Sequence, residues 1–405
     1  KEILPLDVGL HALTNFARKG EKRKPFTKLL KQLRIPYEAF QLKEQSYSLI
    51  KFPDKEIKFS NDFSLLEQEI FENFPSEVDN FKKFCAYVSE YNEVDLNAKY
   101  IASRKVLGEY FKSQLLIEML IAPLLIYGSA WENDMDFSQF VIMFKSLYFE
   151  GFSRPVGGVR TILNLLLDRY KELGGELRFR SEVVGIHEKN NTIQAVELKN
   201  GEILKTDKIL SSVGLPETQS LVQRGEVNAG IGKLSFTESI IVAKNKACLK
   251  NQDATIIFYN SKPAYTYEKP KGLVDTSSAV FCLPDNYDRI NQDGHAMMRI
   301  TYMANYDLWK ALEKEEYKTQ KNYVFNSALE LSYSLLGQKF EPIFSDVFSP
   351  TTIEKYTFHK KGTVYGSTDK TRNGKTHING LFIIGTDQGF LGIVGSMLSG
   401  ISMAN

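Results

Sequence analysis

The stretch LFIIGTDQGFLGIVG at residues 381–395 holds the residue types and spacing with the most chemistry to offer. A short apolar run enters a loop with glycines at 385, 389 and 392 and leaves it as a helix with a further glycine at 395. The first N–H groups of a helix have no partner inside it and stand at the positive end of its dipole. Such a junction suits an anionic group, either a pyrophosphate or the reduced pyrimidine edge of a flavin. Asp387 in the loop can accept from a ribose or ribityl hydroxyl. The same glycines also suit a tight strand-to-helix turn that needs positive φ, and spacing alone leaves both readings open.

Other reactive side chains are scattered. His11 follows Gly9 on a turn and reads equally as a satisfied structural histidine or as a group beside a ligand. His359 and Tyr365, in TFHKKGTVYGS, fit either a surface hairpin or the lining of a substrate tunnel. His187 and Glu188 end a strand and read as solvated. Asp134 and Asp136, near Trp131, resemble paired acids, but acidic clusters between helices usually serve as caps and loop anchors. No two histidines have metal-ligand spacing, and no Ser–His–Asp or Cys–His arrangement emerges, so no metal and no catalytic residue is assigned. Cys85, Cys248 and Cys282 are odd in number and far apart, which points to a reducing, cytoplasmic setting rather than a disulfide framework.

The elements that would position these groups follow from periodicity. At 405 residues, 43% apolar and 25% charged, the chain calls for two or three globular domains. A net charge of +2 gives no global field for nucleic acid, and the basic run KGEKRK at 19–24 reads as a solvated turn. Abundant Tyr and Phe fit a large apolar cavity and a well-packed core equally. Residues 3–11 read as a strand into a turn, 25–33 as a short helix, and 37–42 and 47–59 as strands with a Pro53-Asp54 turn. From 62 to 146 apolar residues recur at helical spacing, with Asn61 or Asp62 as the first cap. The segment 115–127 carries Glu118 and Pro123 and is too short to span a bilayer. Residues 151–215 alternate: Gly157-Gly158 before a helix at 159–173, then strands at 176–179, 183–188, 192–198, 202–206 and 209–213. Strands dominate 233–306, followed by a helix at 308–335 and the terminal strand–loop–helix.

In their order these segments resemble a known family. The 380–400 block looks like the C-terminal flavin motif of phytoene-desaturase-like oxidoreductases, within the wider amine-oxidase-like flavoprotein superfamily. RPVGG at 154–158 with its helix, GGELRFRSEVVGI at 174–186, DVGLH at 7–11, IAPLLIYG at 121–128 and FSPTTIEKY at 348–356 match in the same order. The resemblance implies an α/β fold. A Rossmann-like FAD-binding domain (1–45, 151–232 and 345–405) would be interleaved with an α+β substrate domain (46–150 and 233–344) containing a mixed or antiparallel sheet. It implies that Val183 meets the adenine through its backbone. Gly385, Asp387, Gly392, Ile393, Val394 and Gly395 would line the ribityl chain and isoalloxazine, Gly157 and Gly158 would lie near the flavin, and Gly9 and His11 near its edge. Two departures stand out: Gly385-Thr386 replaces the family's Gly-Asp, with Asp387 one place later, and the GxGxxG fingerprint would lie upstream of Lys1.

The activity implied is FAD-dependent hydrogen removal or addition across carbon–carbon bonds of a long apolar isoprenoid. Peripheral membrane contact through the helices near 115–127 is the matching expectation for such a substrate. Two alternatives belong to the same fold: a flavin-free prenyl-lipid carrier of the GDP-dissociation-inhibitor type, and a flavin amine oxidase.

Overall fold

The computed structural model describes residues 6, 9, 11–95, 98–223, 225, 227, 230–287 and 294–404. Most of the strand expected at 3–11 therefore lies outside the described residues.

The first helix, α1 (Pro25–Leu33), begins on proline, where the missing N–H costs nothing. The strand expected at 37–42 is instead a 3-10 turn (Tyr37–Phe40) and then β1 (Leu42–Glu44). Pro36 starts the turn, and Gln41 ends it at φ +46. A hairpin follows, β2 (Ser48–Lys51) and β3 (Glu56–Phe59), closed across Pro53-Asp54 by the Phe52 N–H on the Lys55 carbonyl at 2.9 Å. Five helices come next: α2 (Phe63–Asn73), α3 (Val78–Glu90), α4 (Ser103–Tyr110), α5 (Gln114–Gly128) and α6 (Phe137–Phe144). Asp62 caps α2 by accepting from Ser64 N–H. Helix α5 is buried nearly all round, which overturns the expectation that it meets a membrane. It is an interior helix, and its Glu118 is neutralised by a two-pronged pair with Arg104 (2.6 and 2.9 Å). Among the described residues no helix is long and apolar enough to cross a bilayer.

After β4 (Ser153–Pro155) comes α7 (Val159–Glu172), ended at Gly174 with φ +80. The expected strand at 176–179 is irregular. No ladder partner lies beside it among the described residues, and Leu177 and Phe179 stand exposed. Next are β5 (Val183–Lys189), β6 (Thr192–Leu198), β7 (Ile203–Lys205), β8 (Ile209–Ser211) and α8 (Leu215–Gln223). Four long strands or their neighbours follow as β9 (Ser235–Ala243), β10 (Ile256–Asn260), β11 (Val274–Cys282) and β12 (Ala296–Ala304). The single helix expected at 308–335 is two, α9 (Tyr306–Ala311) and α10 (Lys314–Leu336). Leu312 is extended, and Glu313 forms a reciprocal capping box with Glu316. The chain closes with β13 (Pro342–Phe348), α11 (Pro350–Thr357), β14 (Leu381–Ile383) and α12 (Gly392–Ala404).

The main sheet has seven strands in the order β13-β9-β12-β11-β10-β2-β3. It is antiparallel except where β10 runs parallel to β2. Alternation along its strands sends one set of side chains to each face. Phe236, Phe258, Val280, Cys282 and Met303 join the helices α2–α6 in one core. Ile241, Ile257, Phe281, Ile300 and Tyr302 join α10 in another. The first core is aromatic and closely packed, with Phe84 alone in edge contact with Tyr110, Phe111, Phe140 and Phe144 at 5.3–6.0 Å. The other strands form smaller sheets: β1 with β4, β5-β6-β7, and the parallel pair β14 with β8.

Candidate active site

The glycine loop has the shape its sequence calls for. Strand β14 is buried beside β8, and a 3-10 turn (Gly385–Gln388) carries the chain to Gly389 and Gly392. Gly385, Gly389 and Gly392 sit at φ +75, +97 and +67, where an L side chain is strained. Nothing lies within 4 Å of where a Cβ would stand on any of the three, so the loop presents bare backbone to open space. Gly9, at φ +82, is equally open. Gly158, at φ +68, is the residue before α7. Leu13, Val159, Ile393 and Val394 pack in one apolar cluster with α1. The segments carrying His11, Gly157-Gly158 and the start of α12 therefore converge. Gly395 lets α12 approach the loop, because a Cβ there would stand 3.0 Å from the Phe390 carbonyl carbon. Val183 lies apart from this cluster, opening β5 opposite Leu198.

Asp387 is held by several donors of its own chain. Its side chain is buried, and its oxygens accept from the backbone N–H groups of Leu215 (2.6 Å) and Ser367 (2.7 Å) and from Lys370 Nζ (3.3 Å). The carboxylate expected to meet a ribityl hydroxyl ties the loop to the start of α8 and to the segment before β14. Gly366 makes this possible, since a Cβ there would clash with Asp387 Oδ1 at 2.1 Å. Lys370 Nζ is also held by the Tyr365 carbonyl at 2.6 Å, and burial lowers its pKa.

His11 belongs to a buried network that sequence reasoning did not assemble. Its Nδ1 is 3.2 Å from Tyr127 Oη at the end of α5. Its Nε2 is 3.3 Å from Thr301 Oγ1 on β12 and 3.5 Å from Glu238 on β9. Arg299 Nε donates to Glu238 at 2.6 Å, and a second guanidinium nitrogen pairs with the same carboxylate. The His11 carbonyl accepts from Arg154 at 3.3 Å. Burial drives the Glu238 pKa up, but the Arg299 charge and the His11 hydrogen bond outweigh it and hold the carboxyl at about 2. Burial, then Arg299, lowers the His11 pKa and favours neutral imidazole. Cys282, opposite Arg299, is pushed up to about 11 by burial and stays a thiol. The missed signal was a lone charge in each of two apolar strands, Glu238 in FTESIIVA and Arg299 in AMMRITYMA.

The last turn of α5 connects these features. Tyr127 reaches His11, while a Cβ on Gly128 would stand 3.0 Å from Leu391 of the glycine loop. The Ile126 carbonyl accepts from Tyr365 Oη at 2.6 Å. Asp134 and Asp136, by contrast, anchor the loop after α5: Asp134 accepts from Arg104 N–H and Asp136 pairs with Arg372. His359 bonds the Thr363 carbonyl, and His187 pairs with Glu197 in the small sheet. Among the described residues no group of three ligand-type side chains could hold a metal.

The sequence that carries this positive-φ loop of bare backbone and the buried His11 network matches the family model for flavin containing amine oxidoreductase over residues 4–405. The chain belongs to the flavin containing amine oxidoreductases. Its cofactor is FAD, and it has the FAD-binding fold of that family. The solved structures agree in fold. An oxidoreductase from Methanosarcina mazei is 15% identical, with a TM-score of 0.62 over 98% of this chain and 87% of the other. A protein from Pyrococcus furiosus is 13% identical, with a TM-score of 0.59 over 96% and 82%. A putrescine oxidase variant is 12% identical, with a TM-score of 0.60 over 98% and 90%. No curated relative matches the sequence. The residues present fit this flavoprotein family's cofactor: at Gly385, Gly389 and Gly392 the loop offers bare backbone with open space beside it, as the close approach of a flavin or its side chain requires.

Proposed function

We propose that this flavoprotein oxidises or reduces a carbon–carbon bond in a long apolar, isoprenoid-like substrate. The supporting observation is the wall beside the His11 cluster. Tyr127 is in edge contact with Phe152 and Phe258 at 5.9 and 5.2 Å, and that aromatic surface continues into the core shared by the sheet and α2–α6. The charges at its margin are matched to each other, with Glu238 held by Arg299 and His11. An unactivated C–H bond has no acidic proton for a side-chain base, and FAD supplies the hydride acceptor such chemistry needs. Gly385, Gly392, Ile393, Val394 and Gly395 would hold the flavin ring and ribityl chain, Gly9, Gly157 and Gly158 would border it, and Val183 would meet the adenine. His11 and Tyr127 would fix the substrate-side wall and keep water out, without accepting a proton. The FAD-binding part would be 1–45, 151–232 and 345–405, and the substrate part 46–150 and 233–344.

Amine oxidation is the second reading. It is favoured by Glu238, an ionised carboxylate whose side chain keeps 14% of its surface exposed and can face an ammonium group. One experiment separates the readings. The purified protein is reduced anaerobically with a panel of isoprenoid hydrocarbons and alcohols and a panel of primary and secondary amines, following the flavin absorbance. Bleaching by isoprenoids alone is the expected result, or re-oxidation of pre-reduced flavin by polyunsaturated ones. Bleaching by amines alone would overturn the proposal. A protein that takes up no FAD yet retains prenyl lipid would return the carrier reading.

A further inference from the structure

The turn that carries β14 into the glycine loop, Gly385–Gln388, is a 3-10 helix. Three residues complete one turn of such a helix, so Thr386, Asp387 and Gln388 leave it in three directions about 120° apart. The protein itself fills two of them. Asp387 is buried, and its carboxylate accepts from the N–H groups of Leu215 and Ser367 and from Lys370 Nζ. Gln388 is buried on another side, where its Oε1 accepts from Ser399 Oγ of α12. Ser399 Oγ in turn accepts from the Gly385 N–H at 2.6 Å, so the turn is clamped from both of these sides.

Thr386 takes the third direction. It is half-buried, and its hydroxyl has no hydrogen-bond partner among the described residues. Residues three apart on a 3-10 helix come into line, so Thr386 lies in line with Gly389, where open space stands in place of a Cβ. Of the polar side chains in the loop 385–392, which are Thr386, Asp387 and Gln388, it is the one the chain leaves available. It is flanked by Gly385 and Gly389, the bare backbone read above as the cofactor's cradle.

The cofactor has two polar parts that could meet it. Ribityl hydroxyls both donate and accept, whereas a pyrophosphate only accepts and carries charge. A threonine hydroxyl donates and accepts, which matches the first. A phosphate would call for a cation, and the cation at this loop, Lys370, is taken up by Asp387 and the Tyr365 carbonyl. The first N–H groups of α12 remain for an anionic group.

We propose that Thr386, rather than Asp387, is the side chain of this loop that hydrogen-bonds the ribityl chain of FAD. The departure from the family's Gly-Asp then places a neutral hydroxyl where an acid is usual, while the acid one residue on anchors the loop to its own chain. The inference goes beyond the substrate reading and holds whichever substrate the flavin oxidises.

The test strips the flavin from the purified holoprotein and follows re-binding of FAD by flavin fluorescence, in the wild type and in Thr386→Val, Thr386→Ser and Thr386→Asp. Valine keeps the branched shape without the hydroxyl and should weaken FAD binding about 5- to 50-fold, the range one lost hydrogen bond to a buried partner provides. Serine keeps the hydroxyl and should stay close to the wild type. Aspartate accepts from a ribityl hydroxyl but repels a phosphate, so it should bind FAD more tightly than valine does. Without flavin, Thr386→Val should melt as the wild-type apoprotein does, because the hydroxyl makes no bond inside the chain. Unchanged affinity in Thr386→Val, serine as weak as valine, aspartate weaker than valine, or a clear fall in the melting temperature of the Thr386→Val apoprotein each overturns the inference and leaves the substrate reading untouched.

Discussion

At the scale of single residues, Glu238 carries more than its own contacts. Arg299 is wholly buried and its charge is balanced by this carboxylate, while His11 loses its anionic neighbour if the charge goes. Removing one partner of a buried pair strands the other in a medium that solvates it poorly, at a cost of about 3–5 kcal/mol. Glu238→Gln keeps the shape and deletes the charge. We expect it to lower the unfolding free energy in urea at neutral pH by that amount, with Glu238→Gln/Arg299→Met recovering a large part. A loss under 0.5 kcal/mol would mean that the pair is more hydrated than its geometry shows. At this scale the sequence was partly legible. Gly9, His11 and the glycine loop were visible as types in a pattern, but the His11–Glu238 contact joins positions 227 residues apart, and no local spacing encodes it. The partners of Asp387 were not legible either, because Leu215 and Ser367 lie 172 and 20 residues from it.

At the scale of elements, the strand–loop–helix of β14 and α12 makes a separable claim. Gly392 and Gly201 share a left-handed backbone, φ +67 and +88, and both have open space where a Cβ would go. Alanine at either position therefore carries the same strain of about 1–2 kcal/mol. Gly201 turns the hairpin between β6 and β7, whereas Gly392 opens α12 beside the candidate flavin cradle. We expect Gly392→Ala and Gly201→Ala to lower the melting temperature alike, but only Gly392→Ala to reduce the flavin content of the purified protein, read as the ratio of visible to ultraviolet absorbance. Equal flavin content in both would remove Gly392 from the cofactor's surroundings. Elements with their own start and stop signals were the legible ones. Helix α1 begins on Pro25, α2 on its Asp62 cap, and the β5–β6 turn on Asn190 and Asn191, both at positive φ. Strand β13 and helices α8 and α11 were missed, and the 176–179 segment was over-read. Strand status depends on a ladder partner, and α10 hid its own boundary because Glu313 caps as well as it continues a helix.

At the scale of the whole molecule, the chain repeatedly returns to join distant segments. Strand β2 pairs with β10, β8 with β14, and β1 with β4, while the His11 network fastens the start of the chain to β9, β12 and the end of α5. That network joins remote segments, so the protonation of its members is coupled to global stability. His11 has a folded pKa below its ordinary 6.5, hence the unfolded chain binds more protons in the interval between the two values. Stability is present in full above 6.5 and falls as the pH drops through that interval. Glu238 acts in the same direction lower down. Its folded pKa of about 2 against an ordinary 4.5 means that its contribution is intact above 4.5 and is lost as the pH approaches 2. The expected melting profile therefore declines in two steps on the acid side, the first beginning near pH 6.5 and the second below 4.5. His11→Asn, which cannot take a proton in this range, should flatten the first step and, by removing a group that helps hold the Glu238 pKa down, make the second smaller without abolishing it, because Arg299 remains. Glu238→Gln should flatten the second, and because it removes the anion that supports an imidazolium it should move the first to lower pH. A single step that neither substitution alters would place the acid sensitivity outside this network. Asp134, Asp136, Glu150 and Glu217 would not be its source, because burial raises their pKa values and they lose stability with rising rather than falling pH. That opposite sign makes the two groups distinguishable in one titration: the His11 network destabilises the fold toward acid, while these four carboxyls offset it there.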